Sequence, residues 1–262
     1  MNRYGLIGRQ ISYSFSKKLH EAISQQFNLR LSYDILDCDT ELDVINKVQE
    51  LRQQKYHGYN VTIPYKEFIM RYCDELTNEA KTIGAVNTVY LEDGKVIGDN
   101  TDYYGFLKLL NLYHINPKGQ VSYILGSGGA AKAVHYALKS LGAKSVVVSR
   151  DKERIKDKFD LVTGYDTLDV VTKIDILINT TPIGTHPKTD QMPVHKKIAH
   201  KTNIAIDLIY NPKETLLMKE ASFGIGGIYM LIGQALKAQS IWQRRPLDES
   251  KETFDVLMEA IS

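Results

Sequence analysis

The sequence predicts an α/β protein whose mostly parallel sheets carry helices on their faces. Strand and helix patterns alternate before Pro64 and again after Gly119, which is typical of this class. A glycine-rich turn also joins a strand to a helix in the second series. The length of 262 residues suits one large domain or two modest ones, and the composition, 43% hydrophobic and 24% charged, is that of a globular protein.

The first series is defined by hydrophobic spacing. Apolar side chains recur every three or four residues in two segments, which indicates helices, and continuous apolar runs between them indicate strands. The predicted strands are Tyr4–Ile7, Leu31–Leu36 and Tyr59–Ile63, and the predicted helices are Lys17–Phe27 and Glu41–Gln53.

A hairpin then interrupts the alternation. Val86–Leu91 and Lys95–Ile97 flank an Asp-Gly turn, which is a strong signal for an antiparallel pair of strands.

The second series of strands and helices follows the hairpin. Its predicted strands are Val121–Leu125, Ser145–Val148, Ile174–Ile178 and Ile204–Ile209, and helices are predicted at Asp102–Leu112, Gly129–Leu141, Ile228–Gln243 and Lys251–Ile261.

Composition excludes several function classes. The net charge of +2 and the lack of a basic stripe argue against nucleic-acid binding. The longest uncharged stretch, Ala221–Leu236, is too short for a membrane span and is interpreted as core. Cys38 and Cys73 are expected to be reduced thiols in a cytoplasmic protein, and the scattered histidines predict no metal site.

The glycine-rich turn predicts a dinucleotide site in a Rossmann-like domain. Gly126-Ser127-Gly128-Gly129-Ala130-Ala131 fits G-x-G-x-x-A between a predicted strand and a predicted helix. Gly126 permits the tight turn, Gly128 lets the backbone approach a pyrophosphate, and the helix N-terminus attracts phosphate. A purely structural turn is the weaker alternative.

The end of the next strand points to the cofactor. Ser149-Arg150-Asp151 ends that strand, and Arg154 follows one helical turn later. Two guanidinium groups suit a ribose 2′-phosphate, which favours NADP. Asp151 points towards NAD, because a carboxylate beside a 2′-phosphate is repulsive. An exposed helix face is an alternative explanation for Arg154.

Short polar residues outside this turn indicate a polyhydroxy ligand. Ser12, Ser14 and Ser16 alternate and would share one face of an extended segment, although Ser16 also fits a helix N-cap. Further polar segments are Asn60–Lys66, which ends a strand, Gly84–Thr88 and Asp99–Asp102. Taken singly, Lys66 and Asp102 are more often surface charges than catalysts.

Six segments together resemble the shikimate dehydrogenase family, in that family's order and over essentially the whole chain. They are Asn60–Lys66, Gly84–Val89, Asn100–Asp102, Gly126–Ala131, Asn179–Gly184 and Asp207–Pro212. The resemblance implies reversible reduction of 3-dehydroshikimate to shikimate with NADPH, in aromatic amino acid biosynthesis. It also implies a substrate domain of residues 1–100 plus 238–262 and a Rossmann-like NADP domain of residues 101–237, facing a cleft.

The resemblance assigns roles residue by residue. Lys66 matches the catalytic lysine, acting as general acid in reduction, and Asp102 matches its partner carboxylate, orienting the lysine and holding a substrate hydroxyl. Besides these two, the residues that fall where the family binds substrate are Ser14, Ser16, Thr62, Asn87, Tyr210 and Gln234. Those that fall where it binds cofactor are Gly126, Ser127, Gly128, Gly129, Ala130, Ser149, Arg150, Arg154, Leu208 and Gly227.

Three departures from the family pattern keep alternatives open. Tyr13 and Lys17 replace the usual His and Pro around the serines, Asp151 replaces Thr after the arginine, and Thr185-His186 stands where Met is common. Asp151 leaves open a quinate/shikimate dehydrogenase that uses NAD or both cofactors. A non-catalytic dinucleotide sensor is a further alternative, against which Lys66 and Asp102 argue. The chain is expected to be a monomer or homodimer.

Overall fold

The computed structural model describes residues 1–261, which divide into two compact units. The first unit contains Met1–Gly105 and the chain from Leu231 onward, and the second contains Phe106–Met230. Both units have helices around a sheet, so the predicted α/β class is confirmed.

The first unit has a mixed sheet with the strand order β2-β1-β3-β5-β6-β4. Its strands are β1 (Asn2–Gly8), β2 (Leu31–Asp37), β3 (Gly58–Val61), β4 (Glu75–Leu76), β5 (Thr88–Glu92) and β6 (Lys95–Asp99). Its helices are α1 (Ser16–Gln26), α2 (Glu41–Arg52), α3 (Asn78–Ile83), α11 (Lys251–Ile261), the start of α4 (Asp102–Leu112) and most of α10 (Ile228–Trp242). β1 pairs in parallel with β2 and β3, whereas β5 is antiparallel to β3 and β6.

Local sequence explains the ends of these elements. The Thr40 side chain accepts the Asp43 N–H, and the Asp43 carboxylate accepts the Thr40 N–H, so a capping box begins α2. Asp93 and Gly94 have φ values of 48° and 77°, as a tight hairpin turn requires, and the predicted hairpin is confirmed as β5 and β6.

Aromatic packing holds α10 against the sheet of the first unit. The Trp242 ring stacks on Tyr4 with centroids 4.5 Å apart. Gly58 lies beneath the indole, where a Cβ atom would come within 2.4 Å of Trp242 Nε1. Only glycine therefore allows the indole to lie this close to β3.

The second unit has an all-parallel sheet with the strand order β12-β11-β10-β7-β8-β9. Its strands are β7 (Val121–Leu125), β8 (Lys144–Val148), β9 (Val162–Thr163), β10 (Ile174–Asn179), β11 (Thr202–Asp207) and β12 (Phe223–Gly226). Its helices include α5 (Gly129–Ser140), α6 (Lys152–Ile155), α7 (Asp166–Val170), α8 (Lys196–His200) and α9 (Leu216–Glu220). The central strands are buried on both faces, as their continuous apolar runs predict.

Some sequence predictions need correction. The segment before α1 is a turn rather than extended chain, because the Ser14 N–H donates to the Ile11 carbonyl at 3.0 Å. Ser16 is the first residue of α1 and not its N-cap; Phe15 precedes the helix without a side-chain cap. β3 ends at Val61, and the chain turns from Ile63 onward, so the predicted strand Tyr59–Ile63 ends two residues too late.

Both cysteines are free, Cys38 buried and Cys73 partly so. Burial raises the pKa of the Cys38 thiol to about 11, and that of Cys73 to about 12. Within residues 1–261, none of the helices combines the length and apolar character needed to cross a membrane.

Candidate active site

The carboxyl ends of β1 and β3 meet at one edge of the first sheet. Two backbone hydrogen bonds connect the segments that follow these strands. The Thr62 N–H donates to the Ile7 carbonyl at 2.8 Å, and the Arg9 N–H donates to the Ile63 carbonyl at 3.1 Å. Ligands bind outside the carboxyl ends of strands in open α/β sheets. This edge is therefore the natural location for a substrate site in the first unit.

Lys66 and Asp102 form a largely buried ion pair at this edge. Lys66 Nζ lies 2.5 Å from Asp102 Oδ2, and the two side chains are only 14% and 11% exposed. The Lys66 carbonyl accepts the Val86 N–H at 2.8 Å, which fixes the lysine beside the segment that leads into β5. A buried pair of this kind is costly to separate, since removing one partner leaves an uncompensated charge.

Asn87 connects this pair to the sheet. Its Nδ2 donates to Asp102 Oδ1 at 2.9 Å, on the carboxylate oxygen that Lys66 does not contact. Asp102 begins α4, and its own N–H donates to Asn100 Oδ1 at 3.1 Å. The structure thus brings Lys66, Asn87 and Asp102 together, as the resemblance implies.

The other predicted substrate residues of the first unit are placed as follows. The Ser14 and Ser16 hydroxyls are 3.0 Å apart in the turn after β1, and Ser14 Oγ also accepts the Ser16 N–H at 3.2 Å. Thr62 is partly exposed just after β3. Gln234 lies nearly buried on α10, where its Nε2 donates to the Leu231 carbonyl at 2.9 Å. Tyr210 lies in the second unit.

The glycine turn of the second unit has the geometry of a phosphate cradle. Gly126 has φ +101°, and its N–H donates to the Val148 carbonyl at 3.0 Å. Gly128 precedes the first turn of α5, and a Cβ added there would meet nothing within 4 Å. Open space beside the N–H groups of a helix N-terminus is what a dinucleotide pyrophosphate needs. Ser127, Gly129 and Ala130 lie partly exposed in the same turn.

β8 ends beside this turn, and the predicted arginines follow it, Arg150 in the loop and Arg154 on α6. Arg150 and Arg154 are exposed, and Ser149 Oγ accepts the Asp151 N–H at 3.2 Å. The Asp151 carboxylate accepts the Arg154 N–H at 3.2 Å and caps α6. Asp151 therefore has a structural role that sequence reasoning did not assign.

Leu208 and Gly227, both assigned by the resemblance to the cofactor site, are in direct contact. A Cβ on Gly227 would lie 2.2 Å from the Leu208 carbonyl oxygen. Beneath them, the buried Asp207 carboxylate accepts Asn179 Nδ2 at 3.0 Å, Thr215 Oγ1 at 2.8 Å and a backbone N–H at 3.2 Å. Burial raises the pKa of Asp207 to about 6, with these hydrogen bonds opposing the shift.

Thr185 and His186, which differ from the family pattern, connect two loops of the second unit. Thr185 Oγ1 and the His186 N–H both donate to the Asn211 carbonyl, at 3.1 Å and 3.0 Å. The loop after β10 is thereby attached to the loop after β11.

Several buried polar residues lie behind the site, to which sequence reasoning gives no individual role. Thr88 and Thr101 have no exposed surface and bond to the Asn87 amide. His20 is also completely buried and stacks on Tyr33 at 4.0 Å. The available sequence signal is that Thr88 and Thr101 are short polar residues next to Asn87 and Asp102. Their contacts with the Asn87 amide depend on strand register, which the signal does not give.

Comparisons with known proteins show one family with which the chain shares sequence and fold. The family described as "Shikimate dehydrogenase substrate binding domain" matches residues 6–89. A shikimate dehydrogenase (NADP(+)) of Clostridium beijerinckii is 43% identical over 256 residues, covering 95% of this chain and 94% of that protein. The structure of shikimate dehydrogenase 1 from Peptoclostridium difficile superposes with a TM-score of 0.90 at 36% identity, over 99% of this chain and 97% of that chain. The Thermus thermophilus shikimate 5-dehydrogenase, solved with NADP(H) and shikimate, has a TM-score of 0.87 at 28% identity, over 100% and 98% of the two chains.

Proposed function

Because the chain belongs to the shikimate dehydrogenase family, we propose that it catalyses the reversible, NADPH-dependent reduction of 3-dehydroshikimate to shikimate. The observation that carries this proposal is the buried Lys66–Asp102 pair at the carboxyl edge of the first sheet. A non-catalytic dinucleotide sensor would have no need of a desolvated ion pair at this position.

NADPH, when bound, supplies the hydride. The open space at Gly128, the N-terminus of α5 and the exposed guanidinium groups of Arg150 and Arg154 suit its phosphates. The cap formed by Asp151 supports NADP over NAD, because its carboxylate is directed to a backbone N–H of α6. Leu208 and Gly227 complete the proposed cofactor site, together with the glycine-turn residues and Ser149.

Lys66 performs the proton transfer in this proposal. An ammonium group has three protons, and one of them is directed to Asp102 Oδ2. As the ketone carbon gains a hydride, its oxygen becomes an alkoxide, which takes a proton from Lys66 Nζ. Shikimate oxidation reverses the step, with Lys66 Nζ accepting the hydroxyl proton.

The remaining residues bind and orient the substrate. Asp102 orients Lys66 and holds a substrate hydroxyl. Polar side chains of the first unit suit a ligand with three hydroxyls and a carboxylate. These are Ser14, Ser16, Thr62, Asn87 and Gln234, and the family resemblance also assigns Tyr210 of the second unit to the substrate.

A rate matrix tests the proposal. The purified protein is assayed with shikimate and with quinate, each with NADP⁺ and with NAD⁺. We expect the highest kcat/KM for shikimate with NADP⁺. No turnover of shikimate with either cofactor would overturn the proposal, and higher kcat/KM for quinate or NAD⁺ would overturn the stated specificity.

A variant pair tests the role of Lys66. Lys66→Ala is expected to lower kcat by about 10²- to 10⁴-fold with little change in KM for shikimate. Lys95→Ala is the matched control, because it removes an exposed lysine that pairs with Glu75 in the same unit. Near-normal turnover in Lys66→Ala would refute the assignment.

The proposal includes a cytoplasmic location, supported by the free cysteines, which suit a reducing compartment. It also includes a monomeric or homodimeric state, for which light scattering is the test.

A further inference from the structure

A buried hydrogen-bond network lies behind the Lys66–Asp102 pair. Asn60, Thr88, Thr101 and Asn87 are at most 4% exposed. The pairing of β3 with β5 sets Asn60 opposite Thr88, and the Asn60 side chain donates to Thr88 Oγ1 at 3.1 Å. The network therefore depends on the register of two adjacent strands.

The orientation of the Asn87 amide is fixed by a backbone group. The Thr101 N–H donates to Asn87 at 2.7 Å, and because an N–H can only donate, the accepting atom is Oδ1. Nδ2 then faces Asp102 Oδ1 at 2.9 Å and Thr101 Oγ1 at 3.1 Å. With the amide reversed, its oxygen would face the Asp102 carboxylate as a second buried acceptor, which is unfavourable.

The direction of the Thr88 hydroxyl follows from its neighbours. Asn60 Oδ1 accepts the Tyr33 hydroxyl proton at 2.8 Å, so Asn60 Nδ2 is the atom that donates to Thr88. The Thr88 proton is then free for Asn87 Oδ1 at 3.0 Å or for Thr101 Oγ1 at 3.1 Å. Either choice supports the amide orientation that presents Nδ2 to Asp102.

We propose that Thr88 is a positioning residue, which holds the Asn87 amide so that Asn87 in turn holds the Asp102 carboxylate for Lys66. In this arrangement both Nδ2 protons of Asn87 have acceptors within the protein. Asn87 thereby acts on the carboxylate in addition to any contact with substrate. The proposal rests on the proposed function, since it concerns the same proton-transfer pair.

Two substitutions at Thr88 distinguish the loss of the hydroxyl group from a change in side-chain shape. Thr88→Val keeps the branched shape without the hydroxyl, and Thr88→Ser keeps the hydroxyl. We expect Thr88→Val to lower kcat by about 10- to 100-fold, because small displacements of catalytic groups have effects of this size. KM for shikimate should change little, the pH profile of kcat should shift, and Thr88→Ser should restore most of the activity.

Thr253→Val is the control for loss of a buried threonine hydroxyl. Thr253 is 5% exposed on α11 of the same unit, and its hydroxyl donates to Asp248. This variant should lose stability but keep kcat and its pH profile. The positioning role is refuted if Thr88→Val keeps wild-type kcat, if Thr88→Ser is equally slow, or if only the melting temperature changes.

A crystal structure of Thr88→Val provides a readout that is independent of activity. The distances from Asn87 Nδ2 and Lys66 Nζ to the Asp102 oxygens should lengthen. Unchanged distances would overturn the positioning role, whatever the activity of the wild-type protein. If the wild-type protein fails to oxidise shikimate, that result refutes the proposed function alone.

Discussion

Acidification should weaken the first unit through a single buried histidine. His20 has no exposed surface, and its Nδ1 lies 2.9 Å from Gln239 Nε2. Gln239 Oε1 accepts Gln243 Nε2 at 3.1 Å, which supports this orientation of the Gln239 amide. Nδ1 is then an acceptor in a neutral ring, and protonating it would break the bond. Burial lowers the pKa of His20 to about 3, with the Asn60 side chain offsetting part of the shift.

The magnitude follows from proton linkage. The unfolded chain protonates His20 near its ordinary pKa of 6.5, whereas the folded protein binds that proton only near pH 3. Between these values the unfolded state binds more protons, so stability rises with pH and falls on acidification by up to about 1.4 kcal/mol per pH unit. From pH 6 to pH 4 the contribution of His20 to the free energy of unfolding should fall by about 2.5 kcal/mol.

Urea unfolding of wild type and His20→Phe at pH 6, 5 and 4 measures this contribution. Phe keeps a ring stacked on Tyr33 but cannot titrate, so from pH 6 to pH 4 wild type should lose about 2.5 kcal/mol of stability relative to His20→Phe. His114→Asn, which removes an exposed histidine, should keep the wild-type slope. Parallel pH profiles for wild type and His20→Phe would refute the reasoning.

Four further predictions concern the second unit. Burial raises the pKa of Asp207 to about 6, so the contribution of Asp207 to the free energy of unfolding should fall by up to about 1.4 kcal/mol per unit as pH rises from 4 to 6, and wild type should lose this stability relative to Asp207→Asn in urea unfolding. Gly227→Ala would place a Cβ 2.2 Å from the Leu208 carbonyl and should cost about 1–3 kcal/mol of stability in urea unfolding. Gly128→Ala meets nothing within 4 Å and should unfold like wild type, while KM for NADP⁺ rises; equal stabilities of these two variants would contradict the packing argument. Arg150→Gln should raise KM for NADP⁺ by about tenfold or more but that for NAD⁺ much less, and equal changes would argue against a phosphate contact.

Local signals made much of the fold predictable. The sequence predicts the Asp-Gly hairpin and the turn at Gly126, because each depends on backbone conformations that few residues adopt. It does not predict the turn around Ser14, because alternating serines fit both an extended chain and a turn. The bond from Ser14 N–H to the Ile11 carbonyl decides between them, and no pattern in the sequence indicates it.

The site was predictable only in part, for a different reason. Lys66 and Asp102 are 36 positions apart, and their juxtaposition was inferred from a family resemblance rather than from spacing. The contact between Asn60 and Thr88 requires the register of β3 on β5. Register is set by the packing of whole strands, so single sequence motifs do not predict it.

The helix cap formed by Asp151 has a consequence for changing the cofactor preference. Replacing the acidic residue that follows β8 is an obvious way to remove the repulsion between its carboxylate and a 2′-phosphate. Here the carboxylate already holds the Arg154 N–H, so replacing it would loosen the start of α6. The same substitution would thereby disturb the backbone that carries Arg154. Cofactor choice is better altered at the exposed guanidinium groups, whose removal leaves the cap in place.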